Sequence, residues 1–211
     1  MADFLNTTFS SFDYSILSFL HSFAVSTNNV FTPVANIISI LVDNGILFLL
    51  LSVILMLFKK TRKLGVCLFG AIACGAVITK FGLKDFVARP RPFMSNDTFK
   101  EWWSFIGETN DTSFSFPSGH ATMAMAGFTT LFIYLKKKYS SWGFLIVLLV
   151  ALSRCYLMVH YPTDVIGGIL AGLVGALVAW AITVLIFKVC EKFKDKKFFN
   201  FILNFNIVKE K

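Results

Sequence analysis

The chain has 211 residues, of which 56% are hydrophobic and only 15% are charged, and its formal net charge is +8. A water-soluble domain of this length needs more charged surface, so the composition indicates one compact integral membrane domain and excludes a soluble protein. The positive charge does not point to nucleic acid, because most lysines stand in short clusters between apolar runs, as in cytoplasmic loops facing anionic lipid. No basic segment followed by a small-residue cleavage site opens the chain, so we predict no removable signal peptide.

The first forty residues leave two alternatives open. The stretches "FDYSILSFLHSFAVS" (12–26) and "VFTPVANIISIL" (30–41) form two interfacial helices or, joined, one additional membrane span. No charged residue stands next to His21 in the first stretch, so we assign it a structural or interfacial role.

Apolar runs predict five spans in the rest of the chain. The first, at 46–58, reaches spanning length only if it begins near Ile40, which would put Asp43 near its outer end. The remaining runs cover 65–84, 119–135, 142–161 and 165–187. We therefore predict an all-α polytopic bundle of five or six transmembrane helices. Its segments are an N-terminal region (1–44), a transmembrane domain (45–187) and a basic tail (188–211).

The lysine clusters fix the predicted orientation. Basic residues at 59–63, 136–138 and 188–197 alternate with the apolar runs, and the positive-inside rule makes these segments cytoplasmic. The loop at 93–118 then faces outward, with Trp102 and Trp103 as expected headgroup anchors. The end of the tail (198–211) is either an amphipathic helix on the inner surface or a frayed terminus.

Ionisable side chains stand at the outer ends of three spans that are distant in sequence, where a charge is costly and usually marks a functional site. The set comprises Lys84, Arg89, Arg91, His120, Arg154, His160 and Asp164. Any one of these cations alone could be a snorkelling anchor. Together, a lysine and arginines around one point form an oxyanion clamp, because the guanidinium fork matches phosphate geometry. Lys80 either snorkels or touches substrate, and Arg89 meets a second phosphate or lipid headgroups.

A helix start with anion-binding character is predicted in "FPSGHATMAMAG" (116–127). Pro117 ends the loop, Ser118 caps the helix, and Gly119 lets backbone N–H groups approach an anion at the positive helix end. His120 follows directly and can protonate a leaving oxygen from this wall of the site.

A second constellation lies in "HYPTD" (160–164). His160 and Asp164 are four residues apart, and Pro162 suits the start of a helix, so the carboxylate can turn back toward the imidazole. A carboxylate on one ring nitrogen fixes the tautomer and leaves the other nitrogen free to attack.

Three stretches, "KDFVARPRP" (84–92), "PSGH" (117–120) and "SRCYLMVHYPTD" (153–164), together resemble the signature blocks of the type 2 phosphatidic acid phosphatase family of membrane lipid phosphatases. The family patterns KxxxxxxRP, PSGH and SRxxxxxHxxxD are matched at every specified position and in order. The resemblance implies a helical fold in the cell membrane with its site at the extracytoplasmic face. It also implies catalysis without metal or cofactor, through a phosphohistidine intermediate.

The resemblance also implies a role for each matched residue. His160 is the nucleophile, Asp164 its orienting partner and His120 the general acid. The phosphate-binding residues are Lys84, Arg91, Ser118, Gly119 and Arg154.

The substrate expectation is a lipid phosphate or diphosphate, and the chain looks most like bacterial undecaprenyl-diphosphate phosphatases. Phosphatidylglycerophosphate or phosphatidate is the alternative substrate, because the sequence blocks that bind phosphate are the same in phosphatases for all of these lipids. A transporter or non-catalytic lipid binder is the rival from another class. The pairing of His160 with Asp164 argues against it, since binding alone needs no oriented nucleophile.

Overall fold

The computed structural model describes residues 1–109 and 111–207, and all regular secondary structure in these residues is helical, which confirms the predicted all-α class. The helices are α1 (Ala2–Thr8), α2 (Ser10–Ser26), α3 (Thr32–Val42), α4 (Ile46–Met56), α5 (Arg62–Ala76), α6 (Lys84–Val87), α7 (Pro92–Ser95), α8 (Asp97–Ile106), α9 (Gly119–Tyr134), α10 (Lys137–Ser140), α11 (Trp142–Tyr156), α12 (Pro162–Lys192) and α13 (Lys197–Asn204). A π-helical segment, Val77–Leu83, joins α5 to α6 without a break.

Four helical segments in the described part of the chain are long and apolar enough to cross a membrane. They are Thr32–Met56, Arg62–Ser95, Lys137–Tyr156 and Pro162–Lys192. The predicted span at 119–135 corresponds to α9, whose 16 residues fall short of the roughly 20 that an upright crossing needs. This helix nevertheless lies inside the bundle, packed against α5, α11 and α12.

The N-terminal residues adopt an arrangement that matches neither predicted alternative in full. A turn with positive φ at Asn28 and Asn29 separates α2 from α3, so these two helices do not join into one span. Instead α3 joins α4 through a kink at Asn44 (φ 49°) and Gly45 (φ 69°), which makes the first candidate span longer than predicted. A side chain at Gly45 would also collide with Ile72, because a Cβ atom there would lie 2.9 Å from Cγ2 of that residue.

The centre of the bundle is α12, which packs chiefly against α5 and α9. Glycines make these crossings close: a Cβ atom at Gly175 would lie 3.0 Å from the backbone nitrogen of Gly75, and one at Gly172 would collide with the carbonyl oxygen of Thr122. Small residues allow this approach between apolar helices, where van der Waals contact has to hold the helices together.

The basic segments gather at one end of the bundle. Arg62 donates to the carbonyl oxygen of Ile202 at 2.7 Å, which ties α13 to the start of α5. Helix α9 runs about 24 Å from Gly119, at a rise of about 1.5 Å per residue, and this places the 136–138 lysines at that same end. The opposite end carries the three motifs. Helix α13 forms part of the tail helix that the sequence offered as one alternative, and residues 208–211 lie outside the described residues.

Candidate active site

A cavity of about 770 Å³ opens at the end of the bundle opposite the basic segments. Of the eight residues predicted to form the site, five line this cavity: Lys84, Gly119, His120, Arg154 and His160. The other three, Arg91, Ser118 and Asp164, are fully buried and lie next to the lining residues. Tertiary structure therefore brings the three motifs to one point.

His160 stands between a carboxylate and a guanidinium. Its Nδ1 atom is 3.6 Å from Oδ2 of Asp164, and its Nε2 atom is 3.4 Å from Nη1 of Arg91. The carboxylate therefore lies on one side of the ring and the cation on the other, as the four-residue spacing predicted. Nδ1 has no hydrogen-bond partner within the described residues, so a small approach of the Asp164 carboxylate would complete this pair.

Burial and positive charge control the ionisation of this imidazole. Burial lowers the pKa of His160 well below 6.5, and the charges of Arg91 and Arg154 lower it further. The ring is therefore neutral at neutral pH, the form in which one nitrogen keeps a free lone pair.

Asp164 is held by hydrogen bonds from three directions. Its Oδ2 atom accepts from the Tyr161 backbone N–H at 2.8 Å and from the Ser115 hydroxyl, while Oδ1 accepts from Nη1 of Arg89 at 2.7 Å. Helix α12 begins at Pro162, as predicted, so Asp164 lies in its first turn with its carboxylate folded back over the helix start. This geometry fixes the carboxylate beside the imidazole.

His120 stands on another wall of the cavity and pairs with an acid that the sequence interpretation did not assign to the site. Its Nε2 atom is 3.4 Å from Oδ1 of Asp43, which lies at the kink between α3 and α4. Burial and the charge of Arg154 lower the pKa of His120 to about 4, and the half-exposed Asp43 carboxylate offsets only part of this. His120 therefore becomes protonated when the negative charge of a bound phosphate raises that pKa. Each histidine thus has its own carboxylate.

The PSGH segment starts α9 as predicted, but Ser118 does not cap the helix with its side chain. Among the described residues its buried hydroxyl has no hydrogen-bond partner, and its backbone N–H donates to the carbonyl oxygen of Asp164 at 2.9 Å. A Cβ atom on Gly119 would meet no described atom within 4 Å, so this first turn faces open space. A free hydroxyl and an open helix N-terminus are both suited to an anion.

Asp111, in the segment between α8 and α9, lies among the basic side chains. Its Oδ1 atom is 2.6 Å from Nη2 of Arg91 and its Oδ2 atom is 3.4 Å from Nη2 of Arg154, while Lys84 donates to the neighbouring Ser113 hydroxyl at 2.9 Å. Burial alone would raise the pKa of Asp111, but the nearby positive charges, Arg91 above all, outweigh it and hold the pKa below its usual value. The carboxylate lies where the clamp would receive a phosphate.

The structure also corrects the interpretation of two cations. Arg89 meets neither a second phosphate nor headgroups: it is 1% exposed and pairs with Asp13 and Asp164. Lys80 lines the cavity and donates to the Asn44 side chain at 3.1 Å, so the substrate-facing alternative fits it better than snorkelling.

Trp102 and Trp103, both in α8, are half-buried in aromatic contacts. Trp102 stacks on His21 with ring centroids 4.8 Å apart, and Trp103 stacks on Phe93 at 4.4 Å. These contacts join α8 to α2 and α7, and they confirm the structural role predicted for His21.

The family model described as the PAP2 superfamily matches residues 64–188, more than half of the chain, and this range contains all three motifs. The chain belongs to the PAP2 superfamily. An undecaprenyl-diphosphatase from Sulfolobus acidocaldarius is 35% identical over 122 residues, which cover 57% of this chain and 56% of the relative. Phosphatidylglycerophosphatase B from Bacillus subtilis is 36% identical over 93 residues, covering 37% of this chain and 46% of the relative.

This PAP2 chain thus spans about half the length of these two curated relatives. A solved structure, a transmembrane PAP2-type phosphatidylglycerolphosphate phosphatase from Bacillus subtilis, superposes with a TM-score of 0.65 at 24% identity and covers 93% of this chain and 92% of its own. At that identity the likeness shows a shared fold. The apolar helices and the membrane relatives make this PAP2 protein a multi-pass membrane protein.

Proposed function

We propose that this PAP2 protein is a membrane lipid phosphatase that removes a phosphate group from a lipid phosphate or diphosphate. The observation that carries the proposal is the placement of His160, with Asp164 at one ring nitrogen and Arg91 at the other, in a cavity lined by Arg154 and Lys84. A neutral, oriented imidazole facing a cationic clamp is the arrangement that nucleophilic attack on phosphorus requires.

The proposed reaction has two steps. In the first, Nε2 of His160 attacks the terminal phosphorus. The bond from that phosphorus to the ester oxygen of a lipid monophosphate, or to the bridging oxygen of a lipid diphosphate, breaks, and His120 gives that oxygen a proton. In the second, water attacks the phosphohistidine, His120 takes up the proton of the water, and inorganic phosphate leaves with His160 restored. The side chains of Lys84, Arg91 and Arg154 supply the positive charge, so neither step needs a metal ion.

Undecaprenyl diphosphate is the substrate that we favour, with undecaprenyl phosphate as the product. The matched relative named undecaprenyl-diphosphatase supports it, and so does a cavity that Lys80 lines in addition to Lys84 and Arg154. Phosphatidylglycerophosphate is the second candidate, because two relatives named phosphatidylglycerophosphatase B also match this chain. A binder or transporter would not need the two histidine–carboxylate pairs.

The proposed orientation puts the cavity at the extracytoplasmic face. The lysine clusters lie at the opposite end of the bundle, and the positive-inside rule assigns that end to the cytoplasm. A substrate whose headgroup faces outward would reach the cavity while its chains stay in the outer leaflet.

Phosphate release by the purified full chain tests the proposal. Undecaprenyl diphosphate, phosphatidylglycerophosphate and phosphatidate would be compared in mixed micelles, with His160→Ala as the matched control for background activity. We expect release from the first substrate with the highest kcat/KM. Release from none of them by the wild-type chain would refute the phosphatase assignment, and a preference for phosphatidylglycerophosphate would replace the favoured substrate.

A further inference from the structure

Behind His160, on the side away from the cavity, three buried ionisable side chains form a connected cluster. Nη1 of Arg89 is 2.7 Å from Oδ1 of Asp164, and Nη2 of Arg89 is 2.8 Å from Oδ2 of Asp13. The side chains of Asp13, Arg89 and Asp164 are 3%, 1% and 0% exposed. Asp13 belongs to α2, which lies outside the residues matched by the family model.

Hydrogen bonds hold each member of this cluster in one orientation. Asp13 accepts from the Thr163 backbone N–H at 3.0 Å and from its hydroxyl at 2.7 Å. Arg89 donates from Nε to Oδ1 of Asn6 at 2.8 Å, and its guanidinium lies 3.8 Å from the centre of the Tyr161 ring. Buried charges are tolerated only where such partners are complete, and a complete network leaves its members little rotational freedom.

The charges of the cluster do not cancel. Arg89 alone would neutralise Asp164, whereas Asp13 adds a second carboxylate and brings the sum of the three to −1. Among the other charged groups that act on His160, cations outnumber acids: Lys84, Arg91 and Arg154 stand against Asp111. The cluster is therefore the negative region behind a histidine that otherwise faces cations, and it favours the positive charge that develops on the ring when it bonds to phosphorus.

We propose that Asp13 and Arg89 are positioning residues, which hold the Asp164 carboxylate against His160 and keep the region behind the nucleophile negatively charged. The inference rests on the proposed phosphatase function. It makes α2 a functional part of the site and not only an N-terminal anchor. Neither residue contacts the cavity, so both act through Asp164.

Asp13→Asn tests this role, because it removes the charge while keeping the shape of the side chain. We expect kcat to fall at least about tenfold, the size of effect seen when an outer hydrogen-bond partner of a site residue is lost. KM and inhibition by vanadate should change less than about twofold, since the anion clamp is untouched. Asp85→Asn is the matched control: it removes the same charge from an exposed residue next to Lys84, and it should leave kcat unchanged.

A double variant separates charge from packing. Arg89→Gln leaves two uncompensated buried carboxylates, whereas Asp13→Asn/Arg89→Gln leaves only Asp164. If charge is the link, the double variant, which returns the sum of the cluster to −1, keeps a higher kcat than Asp13→Asn alone, which brings the sum to 0. If the two residues only fill space, the fold-losses of kcat in the two single variants multiply in the double variant.

The outcomes distinguish this inference from the proposed function. A wild-type chain that releases no phosphate refutes the function, whereas an active wild type with a folded, fully active Asp13→Asn variant refutes only the positioning role. If Asp13→Asn does not fold, Asn6→Ala serves instead, because it removes one half-buried acceptor of Arg89. We expect its kcat to fall about two- to fivefold at constant KM, in line with the loss of one ordinary hydrogen bond. The loss is smaller than in Asp13→Asn because Arg89 keeps both of its carboxylate partners. An unchanged kcat would overturn the inference.

Discussion

We expect Asp111 to compete with phosphate for Arg91 and Arg154, so that Asp111→Asn tightens the binding of phosphate analogues. The carboxylate lies 2.6 Å from Arg91 and 3.4 Å from Arg154, with its side chain 23% exposed. A hydrogen bond to a charged group contributes roughly 1.5–3 kcal/mol, and each 1.4 kcal/mol or so is a tenfold change in affinity. Asparagine keeps part of the hydrogen bonding, and solvent screens part of the charge. We therefore expect the affinity for phosphate analogues to rise by an amount at the lower end of this energy range, about tenfold.

Vanadate inhibition of phosphate release by the full chain in micelles measures this gain. Because the pKa of Asp111 is held below its usual value, the wild-type carboxylate stays ionised through the neutral range and is lost only on strong acidification. The difference between wild type and variant should therefore be constant around neutral pH. Asp97→Asn, an exposed acid at the start of α8, is the control and should not change inhibition. Unchanged or weaker inhibition in Asp111→Asn would refute competition and make the carboxylate an orienting partner of Arg91.

Four other outcomes follow from the site. His160→Ala should abolish turnover while vanadate still binds, because the clamp survives the loss of the nucleophile; near-full activity would exclude the covalent route. His120→Ala should lose less activity on substrates with good leaving groups, which need less protonation, and equal losses would remove it from the acid role. Because the pKa of His160 is lowered, kcat/KM for an activated aryl phosphate should stay level as pH falls through 6.5; a decline centred there would contradict the neutral, buried ring. In intact cells, an impermeant thiol reagent should label Ser95→Cys from outside and Ser141→Cys only after lysis. The native protein gives the background labelling, since its four cysteines are buried or half-buried. The reverse pattern would put the site in the cytoplasm.

Local patterns in the sequence determined the helices and the motif residues. The lengths of the apolar runs predicted the bounds of α9, α11 and α12 to within a few residues. They could do so because the hydrophobic effect acts on each segment independently of its neighbours. The start of α12 at Pro162 and the approach of Asp164 to His160 also follow from spacing along one helix turn. These features are local, so they can be predicted from the sequence alone.

Only the tertiary structure decided which distant residues complete the site. Asp13 lies 151 residues before Asp164 in the chain, and nothing in an N-terminal apolar stretch indicates that its acid pairs with Arg89. Asp43 reaches His120 because the backbone kinks at Asn44 and Gly45, and Asp111 enters the clamp because its loop folds over the cavity. The physical reason is that Asp13 and Asp111 lie where they find compensating cations, whereas the half-exposed Asp43 lies where the kink puts it. All three positions depend on the packing of whole helices.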